Sequence, residues 1–187
     1  DNDKVIVSWE EDSGGETVGY VQLLQLGEGG LHPLGGPVSE SNSGFGHALT
    51  LHGNLAAVGA PLYPPGPGSN GTVYLYEVHE SGLIGPIVSP SLFEGGIESH
   101  AGSSLALASN PGGDWILAIG APGMKLSDDF PKGPGSIHVH GRASGTSSWL
   151  LLMNDFDASP NALGYSMDTD WNTELVSFLV LAGVPYQ

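Results

Sequence analysis

Gly44-Phe45-Gly46-His47-Ala48-Leu49-Thr50-Leu51, followed after a short turn by Leu55-Ala56-Ala57-Val58-Gly59-Ala60-Pro61, reads as a pair of β-strands with glycine at both joints. Apolar and small side chains alternate in the first strand, which is the period of a pleated ribbon. Glycine ahead of that strand permits close backbone approach. Proline after Gly-Ala ends the second strand where no ladder donor is needed. A lone Gly-Ala-Pro would carry no information, but this one recurs.

A second copy runs from His100-Ala101-Gly102-Ser103-Ser104-Leu105-Ala106-Leu107 to Ile119-Gly120-Ala121-Pro122. A third runs from Ala162-Leu163-Gly164-Tyr165-Ser166-Met167 to Ala182-Gly183-Val184-Pro185. Between the pairs lies another strand type with a glycine start and strict alternation: Gly19-Tyr20-Val21-Gln22-Leu23-Leu24, Gly71-Thr72-Val73-Tyr74-Leu75-Tyr76 and Gly135-Ser136-Ile137-His138-Val139-His140. A weaker fourth strand follows each, around Leu31 to Leu34, Ile84 to Phe93 and Trp149 to Met153. The repeat is therefore about sixty residues and four strands long. It divides one repeat region, 1–187, into units 4–51, 54–108 and 114–169 with a final strand at 175–185. Such a sheet buries its apolar face only against a neighbouring sheet, which predicts an all-β protein of tandem four-stranded antiparallel blades, packed in a stack or a ring.

Composition agrees. Thirty glycines and fourteen prolines punctuate the chain, while an apolar content of 40% argues against disorder. No window keeps a helical period long enough to predict a helix. Twenty Asp and Glu face four Lys and Arg, for a net charge of −16, which repels phosphate backbones and anionic membranes and excludes nucleic acid as a partner. The apolar run Leu175 to Val184 is too short to span a bilayer, so membrane insertion is not expected. With no cysteine, disulfides and thiolate chemistry are ruled out. The opening Asp1-Asn2-Asp3-Lys4-Val5 suggests a trimmed product or a piece of a longer chain.

The repeated segments resemble FG-GAP repeats, the blade sequence of integrin alpha-subunit β-propellers and related extracellular proteins. Phe45-Gly46 and Gly59-Ala60-Pro61 match both halves of that name. The second copy keeps Gly120-Ala121-Pro122 but has Ala101 for the phenylalanine, and the third has Leu163-Gly164 and Gly183-Val184-Pro185. The resemblance implies a β-propeller-like fold and a non-enzymatic, extracellular or cell-surface role in adhesion or structure, through protein partners or self-assembly. Family propellers usually close with seven blades, whereas this chain supplies about three units. It opens on Val5-Ile6-Val7-Ser8-Trp9, in the position that Leu55 to Ala60 holds later, and closes on Leu179 to Pro185, of the same kind. A fragment of a larger propeller, a ring of several chains and a filament joined at strand edges all remain open. The alternatives in function are a carbohydrate-binding propeller and the non-catalytic repeat region of a secreted hydrolase.

The resemblance also implies a calcium loop between the Phe-Gly and Gly-Ala-Pro strands. Asp168-Thr169-Asp170-Trp171-Asn172-Thr173-Glu174 occupies that place, with Asp168, Asp170, Asn172 and Glu174 as candidate oxygen ligands, and Val176 where the family has a further Asp. An acidic turn is the other reading. Asn70-Gly71-Thr72 is an N-glycosylation sequon, which makes Asn70 a candidate glycan site and glycans candidate partners. His138 and His140 share a strand face, as the start of a zinc or copper site or as solvent-facing residues. Tyr74 and Tyr76 share another face, as a sugar platform or as packing between sheets. Asp155 and Asp157 have the spacing of a carboxylate pair, with nothing to mark one as acid and one as nucleophile. The sequence holds no nucleophile elbow, no phosphate loop and no His-Glu-x-x-His, so an enzyme is not expected.

Overall fold

A computed structural model describes residues 3–66, 68–93, 98–123, 135–156, 163–172 and 177–183. The described chain is all-β, with antiparallel pairing between neighbouring strands and one 3-10 turn, Pro90–Phe93. The first sheet contains β1 (Lys4–Ser13), β2 (Glu16–Gly27) and β3 (Gly30–Ser41). The second contains β4 (Leu49–His52), β5 (Leu55–Ala60), β6 (Thr72–His79) and β7 (Gly82–Ile84). The third contains β8 (Ser104–Ser109), β9 (Trp115–Ala121), β10 (Ser136–Arg142) and β11 (Leu150–Phe156). A hairpin of β12 (Ser166–Asn172) and β13 (Ser177–Gly183) follows.

Every sheet is a meander, each strand pairing with its neighbour in sequence. Register gives the repeat a physical meaning. Gly59 lies opposite Val73, and Gly120 lies opposite Ile137, so the Gly-Ala-Pro strand and the glycine-led strand meet in the same frame in both complete sheets. Ser8 opposite Val21 holds that frame in the first sheet, and Ser166 opposite Gly183 continues it in the hairpin. The sheets part between β3 and β4, β7 and β8, and β11 and β12, one strand ahead of the sequence units, because each Phe-Gly strand pairs with the strand that follows it.

The sheets pack face to face through three apolar layers. Val21, Phe45, Val58, Ala60, Tyr74 and Tyr76 fill the space between the first two. Leu55, Leu75, Leu105, Leu117 and Ile119 are among those that fill the next, capped by Phe93 and Trp149. Ala106, Ile116, Ala118, Ile137 and Val139 meet Leu163, Met167 and Val180 of the hairpin segment. All residues of β5 and β9 are buried, because each strand faces one layer with its odd and another with its even positions. Each large aliphatic side chain buried there stabilises the fold by about 1.5–3 kcal/mol before entropy is counted.

Glycine sets how closely the sheets approach. A Cβ on Gly59 would strike the carbonyl of Gly102, and one on Gly120 would strike that of Gly164. The glycine of each Gly-Ala-Pro strand thus lies backbone to backbone against the glycine that opens the next sheet. Two parallel bridges, Gly71 with Ala101 and Gly135 with Leu163, secure the same joints. Hydroxyls add to them: Ser8 Oγ donates to the Gly46 carbonyl at 2.8 Å, and Ser104 Oγ to the Gly164 carbonyl at 2.6 Å. The Ala101 amide donates to the Asn70 carbonyl at 3.0 Å, and Ser99 Oγ donates to the same oxygen at 2.6 Å.

Gly59→Ala forces the second and third sheets apart and lowers stability by about 2–3 kcal/mol, the cost of overpacking a tight contact. Gly36→Ala, on β3 with open space around it, changes stability by less than about 0.5 kcal/mol. Urea unfolding of both variants against wild type measures the contrast.

Candidate functional site

Of the acidic stretch Asp168 to Glu174, residues 168–172 lie in a strand. Asp168, Asp170 and Asn172 occupy alternate positions of β12, opposite Leu181, Leu179 and Ser177. Extended backbone rises about 3.3 Å per residue, which sets Asp168 and Asn172 about 13 Å apart. The Asp168 side chain is exposed, and its Oδ1 accepts from the Thr169 amide at 2.9 Å. Glu174 and Val176 lie outside the described residues. Among the described residues, no group of three His, Asp or Glu side chains is placed to hold a metal ion.

Asn70 is half-buried at the joint between the second and third sheets, where its carbonyl takes the two bonds from Ala101 and Ser99. The sequon therefore overlaps a structural contact. Asp155 pairs opposite Ile137 on β11, and Asp157 lies outside the described residues.

His138 and His140 do not face solvent together. His140 is buried in a ring cluster, edge-on to Phe93 with centroids 5.0 Å apart, and Phe93 is in turn edge-on to Trp149 at 6.1 Å. His138 Nε2 lies 3.0 Å from Ser136 Oγ. Burial pushes both imidazoles below the ordinary histidine range, His140 down to about 4, with His138 adding to the effect. Both rings are therefore neutral at pH 7. Next to them the Arg142 guanidinium lies between two indoles, 5.6 Å from the Trp115 centroid and 5.4 Å from that of Trp149. Such stacking suits a planar cation with an apolar stem. Sequence reasoning missed this cluster, because Trp115, Arg142 and Trp149 come from the ends of three different strand segments. His140 Nδ1 and Trp149 Nε1 are buried without a protein partner.

Tyr74 and Tyr76 are also buried. Phe45 meets Tyr74 edge-on at 5.2 Å, Tyr63 meets it at 6.2 Å, and burial with Glu40 nearby holds both phenols above their ordinary range. They serve packing between sheets. Asn110 and Asp114 lock the β8–β9 turn: the Asp114 amide donates to Asn110 Oδ1, and Asn110 Nδ2 donates to Asp114 Oδ2, both at 2.9 Å. The Ser144 amide donates to Asp114 Oδ1 at 2.8 Å, and this bond and the Asn110 amide hold the Asp114 carboxyl below the usual range.

At the hairpin, a groove of about 320 Å³ is lined by Ser166, Met167, Asp168, Leu181, Ala182 and Gly183. Leu181 and Tyr165 are exposed there, and Leu150, Leu151, Leu152 and Met153 are exposed on β11. Among the described residues no helix is long and apolar enough to cross a membrane. Compared with known proteins, the chain matches no family model and no curated protein.

His140 yields a pH prediction. Its folded pKa lies below the ordinary 6.5, so the unfolded chain takes up the proton first as pH falls. The neutral ring's contribution is complete above about 6.5 and is lost as pH falls towards about 4. Melting temperature measured across this window falls more steeply in wild type than in His140→Leu. Parallel curves would contradict the assignment.

Proposed function

We propose that this chain is part of an FG-GAP-like repeat array of β-propeller type, with a non-enzymatic extracellular or cell-surface role in adhesion or assembly. The observation that supports this reading most is the joint between sheets. Gly59 with Gly102 and Gly120 with Gly164 repeat one backbone contact, and each is backed by the same parallel bridge. A contact repeated in this way adds sheets in series, which is how arrays and propellers grow. The surface they carry is acidic, with a net charge of −16 over the whole chain, and suits a hydrated exterior.

The carbohydrate-binding alternative is weaker, because Tyr74 and Tyr76 are consumed by packing. In the preferred reading any calcium is held by oxygens of Asp168, Asp170, Asn172 and Glu174, and a glycan on Asn70 accompanies passage through a glycosylating compartment.

Light scattering and negative-stain electron microscopy test the assembly role. The reading expects rings or filaments well above the 19.2 kDa monomer at micromolar concentration. A compact monomer at every concentration would remove it.

A further inference from the structure

The two complete sheets share one framework, so a side chain that one carries and the other lacks is not dictated by that framework. Counted from Val73 opposite Gly59 and from Ile137 opposite Gly120, Arg142 at the end of β10 stands where β6 has Val78. The first sheet has Leu26 there, counted from Val21 opposite Ser8. Trp115, which opens β9 and pairs with Arg142, stands where Asn54 precedes β5. The repeat thus places an aliphatic residue at the end of this strand in two sheets. In the third it places a cation between two indoles, in a chain whose net charge of −16 leaves it only four Lys and Arg.

That cation is held firmly and left unsatisfied. Trp115 and Trp149 lie over the guanidinium at 5.6 and 5.4 Å, and His52 of the second sheet braces Trp115 edge-on at 5.7 Å, its Nε2 3.1 Å from Ser109 Oγ. Stacking engages the faces of a guanidinium and leaves the N–H donors in its plane. Among the described residues none of those donors has a hydrogen-bond or ion-pair partner. Glu77 of β6 is near enough to attract Arg142, but its ion pair is with His79 Nε2, at 3.5 Å. Arg142 is only partly buried and Ala143 to Ser148 beside it are exposed, so the fork is open to solvent. In the same cluster His140 Nδ1 and Trp149 Nε1 are buried without a protein partner, so this corner holds more polar capacity than the chain fills.

We infer that the open edge of Arg142, clamped between Trp115 and Trp149, is a binding site for a carboxylate group of a small acidic ligand. A carboxylate matches the fork: its two oxygens accept parallel N–H bonds in the guanidinium plane and leave both indole contacts in place. The clamp fixes the fork beforehand, so little side-chain freedom is lost on binding. A phosphate group fits less well, because Glu77 and the net charge of the chain repel its second negative charge. The site lies within one pair of sheets and does not depend on the array reading.

The carboxylate can come from an acidic sugar or from an acidic amino-acid residue, and two probes separate these sources: sodium glucuronate, and aspartate blocked at its amino and α-carboxyl groups. Each is titrated into the isotope-labelled intact chain and followed by heteronuclear NMR at the Arg142 Nε–H and the indole N–H of Trp115 and Trp149. Saturable shifts with at least one acid are expected, and the tighter one names the source. Glucose, which lacks the carboxylate, and sodium chloride at matched ionic strength give none. Arg142→Lys keeps the charge but loses the fork, and weakens binding about tenfold, read at the indole signals. Arg142→Leu restores an aliphatic residue at this position, keeps the fold by far-ultraviolet circular dichroism and abolishes binding. No saturable shift with either acid, equal binding by Arg142→Lys and wild type, or the same response to sodium chloride overturns the inference.

Discussion

Backbone lying directly on backbone, glycine against glycine, is the constraint on which the rest of this structure depends. At Gly59 and Gly102, and again at Gly120 and Gly164, two main chains approach so closely that a single Cβ on the strand glycine would meet the opposing carbonyl. With that spacing fixed, the other choices follow. Layers this thin take alanine and valine near the joint, as in Ala57, Val58, Ala60 and Ala118, and larger side chains collect away from it, as with Phe93, Trp115 and Trp149. Packing at this density leaves little room for volume change.

The same joint shapes the chain that leads into it. Asn42, Gly44 and Gly46 before β4 have φ of 53°, 65° and 90°, and Glu98, His100 and Gly102 before β8 have 52°, 53° and 89°. The left-handed conformation is rare outside glycine, asparagine and aspartate, so Glu98 and His100 adopt it because the sheet interface imposes it. The two corners are one structure written in different residues. Buried Ser43 and Ser99 occupy its matching position, and Ser99 bonds across to Asn70.

Strands that carry their own signal were legible in the sequence. Gly-Thr-Val-Tyr-Leu-Tyr at Gly71 and Gly-Ser-Ile-His-Val-His at Gly135 alternate at the pleat period and became β6 and β10. The opening and closing segments were placed in the frame of β5 by pattern alone, and β1 and β13 occupy it. The acidic segment was not legible. Asp168 to Asn172 has the composition of a loop, and only pairing with the apolar Ser177–Gly183 strand makes it extended. Nor was the ring cluster around Arg142 legible, because Trp115 and Trp149 converge through sheet register rather than through any local spacing. His140 looked free for solvent or a metal because alternation reveals which residues share a face but not whether the face is covered. Tyr74 and Tyr76 were equally ambiguous on that ground.

The joint is best tested at an amide that belongs to no named strand. Ala101 N–H sits in a corner segment outside the named strands and donates across the interface to the Asn70 carbonyl. Native-state hydrogen exchange at this amide reads directly whether the sheets are locked there. The account predicts protection as strong as that of Leu117 at the centre of β9, since the bond breaks only when the sheets separate. Exchange at Ala101 as fast as at Gly145, in the loop between β10 and β11, would contradict it.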